Sequence, residues 1–166
     1  MTDTPSQSAG RHASNRIFLV VIDDSAEWRA ALRFACRRAE HTGGRVALLH
    51  VVEEPEFQHF MAVEEVIREE KRQEAEQRLQ KVAKEVNELN GQMPVLYVRD
   101  GATHDELLKL IDEEPTISIL VLGANPGSEG PGPLISYLTG KRIGQLRIPI
   151  TIVPGGLSLE AIDTLG

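Results

Sequence analysis

Two places in this 166-residue chain carry residue types that do chemistry. One is the pair Asp23–Asp24, which ends the apolar run RIFLVVI and supplies adjacent carboxylates for Mg²⁺ or for a polar ligand. The other is LVLGANPGSEGPGPLISYLTG, residues 120–140, where Gly123, Gly127, Gly130, Gly132 and Gly140 follow an apolar lead-in. Such a loop holds phosphate by turning backbone N–H groups toward the anion and by letting the chain come close. Pro126, Pro131 and Pro133 work against that use. Proline has no N–H and fixes φ at about −65°. Other candidates are few. Cys36 is the sole cysteine, which excludes an internal disulfide and a cysteine metal cluster, and its alanine-rich helical setting reads as a buried hydrophobe. His12, His41, His50, His59 and His104 show no ligand-like spacing.

The elements that must position these residues follow from periodicity. RIFLVVID reads as a strand buried on both faces, since it is a short, continuous, β-branched run stopped by acids. Asp24 is expected to cap the next helix with Glu27 as its capping-box partner, and Leu32, Ala35, Cys36 and Ala39 give that helix one apolar stripe. HTGG ends it, and RVALLHVVEE is a second buried strand. From Phe57 to Asn90 the chain is highly charged, with Ala75, Leu79, Val82, Val86 and Leu89 at helical spacing and Glu64/Arg68 on the other face. MPVLYVRDG is strand three; Thr103 and Glu106 form a capping box for a helix containing Leu107, Leu108 and Ile111. ISILVLG is strand four. A helix from Ser136 to Arg147 and a fifth strand, IPITIV, follow.

Strands alternating with helices specify an α/β fold, a parallel sheet with helices on both faces. Ligands of such sheets bind beyond the carboxyl ends of the strands, where the strand order reverses. That placement brings Asp23–Asp24 together with the loop after strand four. The domain is expected over residues 16–155, between a disordered tail, 1–15, and a short tail, 156–166. A net charge of −7 argues against a nucleic-acid or anionic-membrane surface. No apolar run has the length of a membrane span and the start carries no secretory signal, so the expected address is the cytoplasm.

LVVIDDS invites comparison with response-regulator receiver domains, where an acid pair after strand one holds Mg²⁺. Asp100 could be nominated for phosphorylation, but IPITIVPGG lacks the lysine that reading needs. The chain resembles the universal stress protein family more closely. RIFLVVIDDSAEWRAALRFACRRA, VALLHVVEE, ISILVLGAN and PITIVPG match that family's elements in order. The resemblance implies a five-stranded sheet of order 3-2-1-4-5 in an adenine nucleotide α-hydrolase-like three-layer sandwich. It also implies a cytoplasmic homodimer associated with survival under stress. In the members that bind ATP, an acid after strand one and a valine in strand two contact adenosine. Here those positions are Asp23 and Val51.

The family's phosphate loop has the pattern G-x₂-G-x₉-G-[S/T]. Laid without gaps from Gly123, it places Pro126, Ser136 and Tyr137 on the remaining positions, so three of four are lost. A rival register uses Gly127, Gly130 and Gly140, followed by Lys141. It leaves only Lys141 to Ile148 for a helix of about 12 Å. The gapless register is preferred, at the expense of placing Gly140 inside a helix, about 1 kcal/mol. The expectation is a stress-response protein that acts by binding rather than by catalysis, with a degenerate nucleotide loop and no required cofactor. The alternative is an ATP–Mg²⁺ switch with slow hydrolysis or autophosphorylation, using Asp23, Val51, Gly127, Gly130 and Gly140. A protein adaptor would instead use the charged helix from Glu64 to Lys84. The uncharged strand at 149–153 is expected at a sheet edge, pairing with its copy in a homodimer.

Overall fold

A computed structural model describes residues 16–53 and 61–166. The expected tail at 1–15, and residues 57–60 at the start of the charged stretch, lie outside the described residues. The elements run β1 Ile17–Val21, α1 Trp28–Thr42, β2 Arg45–Val52, α2 Met61–Asn90, β3 Val95–Asp100 and α3 Thr103–Glu113. Then come β4 Ile117–Ala124, α4 Pro133–Thr139, a 3₁₀ turn at Ile143–Gln145, β5 Ile150–Pro154 and α5 Leu159–Leu165. All strand pairs are parallel, as the strand pattern predicts, and the order is β3-β2-β1-β4-β5, as the family resemblance implies.

Alternation along the strands divides the core into two layers. Phe18, Val20, Val46, Leu48, Val121 and Val153 face α1, α2 and α5. Leu19, Val21, Ala47, Leu49, Leu120 and Leu122 face α3 and α4. The predicted stripes are the buried ones: Leu32, Ala35, Cys36 and Ala39 on α1, and Ala75, Leu79, Val82 and Val86 on α2. Burial pushes the Cys36 thiol up to about 12, so it is protonated and inert at neutral pH. Gly43, at φ 69°, ends α1 in the left-handed conformation that HTGG predicts.

Several local expectations are corrected. Asp24 does not cap α1. The helix begins beyond Glu27 without a side-chain cap, because residues 23–25 form a separate turn in which the Asp23 carboxylate accepts from Ser25 N and Oγ at 2.8 and 2.5 Å. The capping box of α3 is absent too. Thr103 is already helical, and its hydroxyl donates to Glu53 Oε1 at 2.9 Å while Glu106 accepts from Lys109. The helix expected over Ser136–Arg147 instead starts at Pro133, whose missing N–H is harmless at a first helical position, and stops at Thr139. Gly140 lies outside it, at φ −78° and ψ −130°. The chain then crosses through the 3₁₀ turn, and Arg147 Nη2 donates to the carbonyls of Ile111, Ile117 and Glu114 at 2.7, 3.1 and 3.2 Å. One guanidinium thus ties the end of α3 to the start of β4 and satisfies the open carbonyl of Ile111.

The expected tail at 156–166 is a helix. Ser158 caps α5 by accepting from Ala161 N at 3.1 Å, and Ile162 is buried in the same layer as Val153. Arg33 grips Asp163 with two bonds of 2.7 Å, and Arg37 Nε adds a third at 2.9 Å. These bonds, the Arg33 one foremost, hold the Asp163 carboxyl well below the usual carboxylate range. A depressed folded value means stability that is present above the ordinary 3.8 and is lost as pH falls through the folded value. Asp163→Asn is therefore expected to unfold at lower urea than the parent at neutral pH, with the gap closing in acid. Equal midpoints at neutral pH would remove α5 from the stabilising framework.

Candidate functional site

β1, β2 and β3 end at the same side of the sheet, and the chain leaves each of them over a cleft of about 750 Å³. Its floor is Asp23, Asp24 and the stretch from His50 to Glu53. Lys71, Glu74, Ala75 and Arg78 of α2 form one wall; Thr103, His104, Pro133, Leu134 and Tyr137 form the other. A smaller hollow of about 300 Å³ adjoins it, sharing Asp23, Ser25, Pro133 and Leu134 and reaching Gly123 and Trp28. The two openings straddle the point between β1 and β4 where the strand order reverses.

The structure brings some predicted site residues together and leaves others out. Asp23 and Val51 line the cleft, and Val51 is 7% exposed. Gly123 lines the hollow, but its lack of a side chain has a packing cause. A Cβ there would stand 2.0 Å from the Glu27 carbonyl oxygen at the start of α1. Gly127, Gly130 and Gly140 line neither opening. Within the loop, Asn125 N donates to Pro131 O at 3.1 Å and Gly127 N to Asn125 Oδ1 at 2.7 Å. Ser136 N donates to Gly132 O at 3.1 Å, as an ordinary helical bond. Pro126, Pro131 and Pro133 have no N–H to give, and Glu129 adds a negative charge. Tyr137, at the Ser/Thr position of the gapless register, packs against His104 with ring centres 4.3 Å apart and lies under Arg142 at 5.5 Å.

Electrostatically the cleft is mixed. Asp23, Asp24, Glu53 and Glu74 line it with Lys71 and Arg78. Arg78 Nη1 donates to Asp24 Oδ1 at 3.1 Å and its Nη2 to the Asp23 carbonyl, tying α2 to the end of β1. His50 Nδ1 lies 2.6 Å from the Ile22 carbonyl, which can only accept. Nδ1 therefore carries the proton, and in the neutral ring Nε2 is an acceptor. Among the described residues no three His, Cys, Asp or Glu side chains converge as metal ligands. Of the Asp23–Asp24 pair, Asp23 Oδ1 is bonded to Ser25 and Asp24 Oδ1 to Arg78.

Lys71, His50 and Arg78 were not singled out from the sequence. A signal existed, because Lys71, Ala75 and Arg78 stand at i, i+4 and i+7, and Ala75 already belongs to the predicted apolar stripe. If Gly123 serves packing, Gly123→Ala must move backbone at the β4–α1 junction, costing about 1–3 kcal/mol. Urea unfolding without nucleotide reads this directly. A neutral result would return Gly123 to a purely ligand-binding role.

With the geometry in place, comparison with known proteins is informative. The universal stress protein family model matches residues 14–154. The universal stress protein UspA from Lactobacillus plantarum superposes with a TM-score of 0.70 at 19% identity, over 85% of this chain and 99% of that one. Hypothetical protein MJ0577 gives 0.70 at 21% identity, over 87% and 99%. A universal stress protein solved in complex with cAMP gives 0.50 at 17% identity, over 85% and 98%. No curated protein sequence matches this chain. The solved structures support the adenine nucleotide α-hydrolase-like fold, and the family match over most of the chain establishes that this protein belongs to the universal stress protein family.

Proposed function

We propose that the protein is a non-catalytic binding protein of the cytoplasmic stress response, whose cleft takes the nucleoside part of an adenine nucleotide. One observation carries this reading: Asp23 and Val51 share a cleft, whereas Gly127, Gly130 and Gly140 lie outside it. The loop's prolines offer no N–H, and the amides of Asn125 and Gly127 are already bonded within the loop, which reduces the donors open to a triphosphate. A cleft of about 750 Å³ has room for a nucleoside. The related universal stress protein solved with cAMP holds an adenine ligand with a single phosphate group.

The second reading, an ATP switch, is favoured by the glycine spacing alone. Thermal unfolding separates the two. Adenosine at a hundred times its Kd adds about 2.7 kcal/mol. At about 2–4 °C per kcal/mol for a chain of this size, the shift is easily seen. Adenosine is expected to raise Tm, Asp23→Ala to abolish the rise, and ATP with Mg²⁺ to do no better than adenosine. A much larger ATP–Mg²⁺ shift would favour the switch.

The protein is further proposed to be a homodimer through strand 149–153. Among the described residues β5 pairs only with β4, its segment carries no charge, and Ile152 is 42% exposed. An uncovered, uncharged edge invites pairing with a second copy, which satisfies both. Sedimentation at micromolar concentration is expected to show a dimer, and Thr151→Lys to weaken it. A monomeric parent chain would refute the pairing.

A further inference from the structure

The positive charge of the cleft lies on α2, across from the glycine-rich loop. Lys71 and Arg78 are seven residues apart, which puts their Cα atoms about 10 Å apart along the helix on one face. Ala75 lies between them at 3% exposure, and its small side chain keeps that wall open. The two cations differ in commitment. Arg78 is bonded to Asp24 and to the Asp23 backbone, so it neutralises one carboxylate and fixes the helix. Lys71 is partly buried and makes no hydrogen bond or ion pair among the described residues, although Glu53 and Glu74 line the same cleft. Glu53 is taken by the Thr103 hydroxyl. An ammonium partly withdrawn from water gains by pairing, and the position facing it is the cleft itself.

We propose that Lys71, backed by Arg78, is the phosphate-binding group of this cleft, and that the natural ligand is a nucleoside carrying one phosphate group. This rests on the nucleoside reading above and adds where the phosphate goes. A single phosphate ester carries about −1.5 to −2 charges near neutral pH, which one ammonium and one partly neutralised guanidinium can balance. A triphosphate would carry further charge toward Asp23, Glu53 and Glu74. Arg78 acts as a positioning residue, because its own bonds fix the face from which Lys71 extends.

Titration calorimetry of the full chain with adenosine and with AMP tests this. The parent is expected to bind AMP about tenfold more tightly than adenosine, a difference of about 1.4 kcal/mol. Lys71→Met should erase that advantage while changing adenosine affinity less than about twofold, and Lys71→Arg should retain most of it. Rising salt should weaken AMP binding to the parent and leave Lys71→Met nearly flat. An undiminished AMP advantage in Lys71→Met would overturn the assignment and move the phosphate elsewhere. So would a parent that binds adenosine and AMP equally, with the nucleoside reading still standing. Failure of the parent to bind either compound would remove that reading, and the phosphate site with it.

Discussion

β1 is covered on both faces, with Leu19 and Val20 fully buried, and it hydrogen-bonds β2 on one side and β4 on the other. A strand so enclosed has no freedom of register, since a slip of one residue would exchange the two core layers. The turn at Asp23–Ser25 is therefore delivered to a fixed point, beside the end of β2 and above the reversal of strand order. Three contacts then complete the site around it. Arg78 brings α2 to the Asp23 backbone, Gly123 lets the start of α1 lie against β4, and Pro133 starts α4 at the far wall.

What the fold provides at this point is selective. It gives a floor of strand-end backbone, an imidazole on His50 held by the Ile22 carbonyl, and cations on α2. The glycine-rich loop after β4 is more restricted, with prolines at 126, 131 and 133. The loop after β4 spends two of its donors on itself, at Asn125 and Gly127, and has none at its prolines. Glycine count is thus a poor guide to anion binding. Gly123 is required by the Glu27 backbone, and Gly132 precedes Pro133 at φ 112°, where a side chain would be strained.

The parallel sheet and its two covered faces were legible because buried strands and helical stripes leave strong patterns: Leu48 and Leu49 face opposite layers, and Ala75 to Val86 repeat at helical spacing. The strand order, by contrast, came from the family resemblance. The family resemblance nominated Asp23 and Val51, and both line the cleft. Helix ends were harder to read. Asp24 and Thr103 had the residue types of caps, but tertiary partners claimed them: Arg78 for Asp24 and Glu53 for Thr103. α5 was missed because the helix is only 7 residues long, too short for its apolar residues to show a helical period. Its stability comes from Asp163 meeting Arg33 and Arg37, more than 120 residues away in sequence. The cations of α2 escaped notice for a similar reason: charge on a long charged helix reads as solvated until the cleft beside it is seen.

In the proposed function the cleft recognises a nucleoside while the loop after β4 holds no phosphate. A crystal structure of the chain grown with ATP and Mg²⁺ addresses it most directly. The account predicts density for the adenosine portion beside Asp23 and Val51, with no phosphate oxygen in hydrogen-bonding contact with the amides of Gly127 or Gly130. An ordered triphosphate resting on those amides would contradict it.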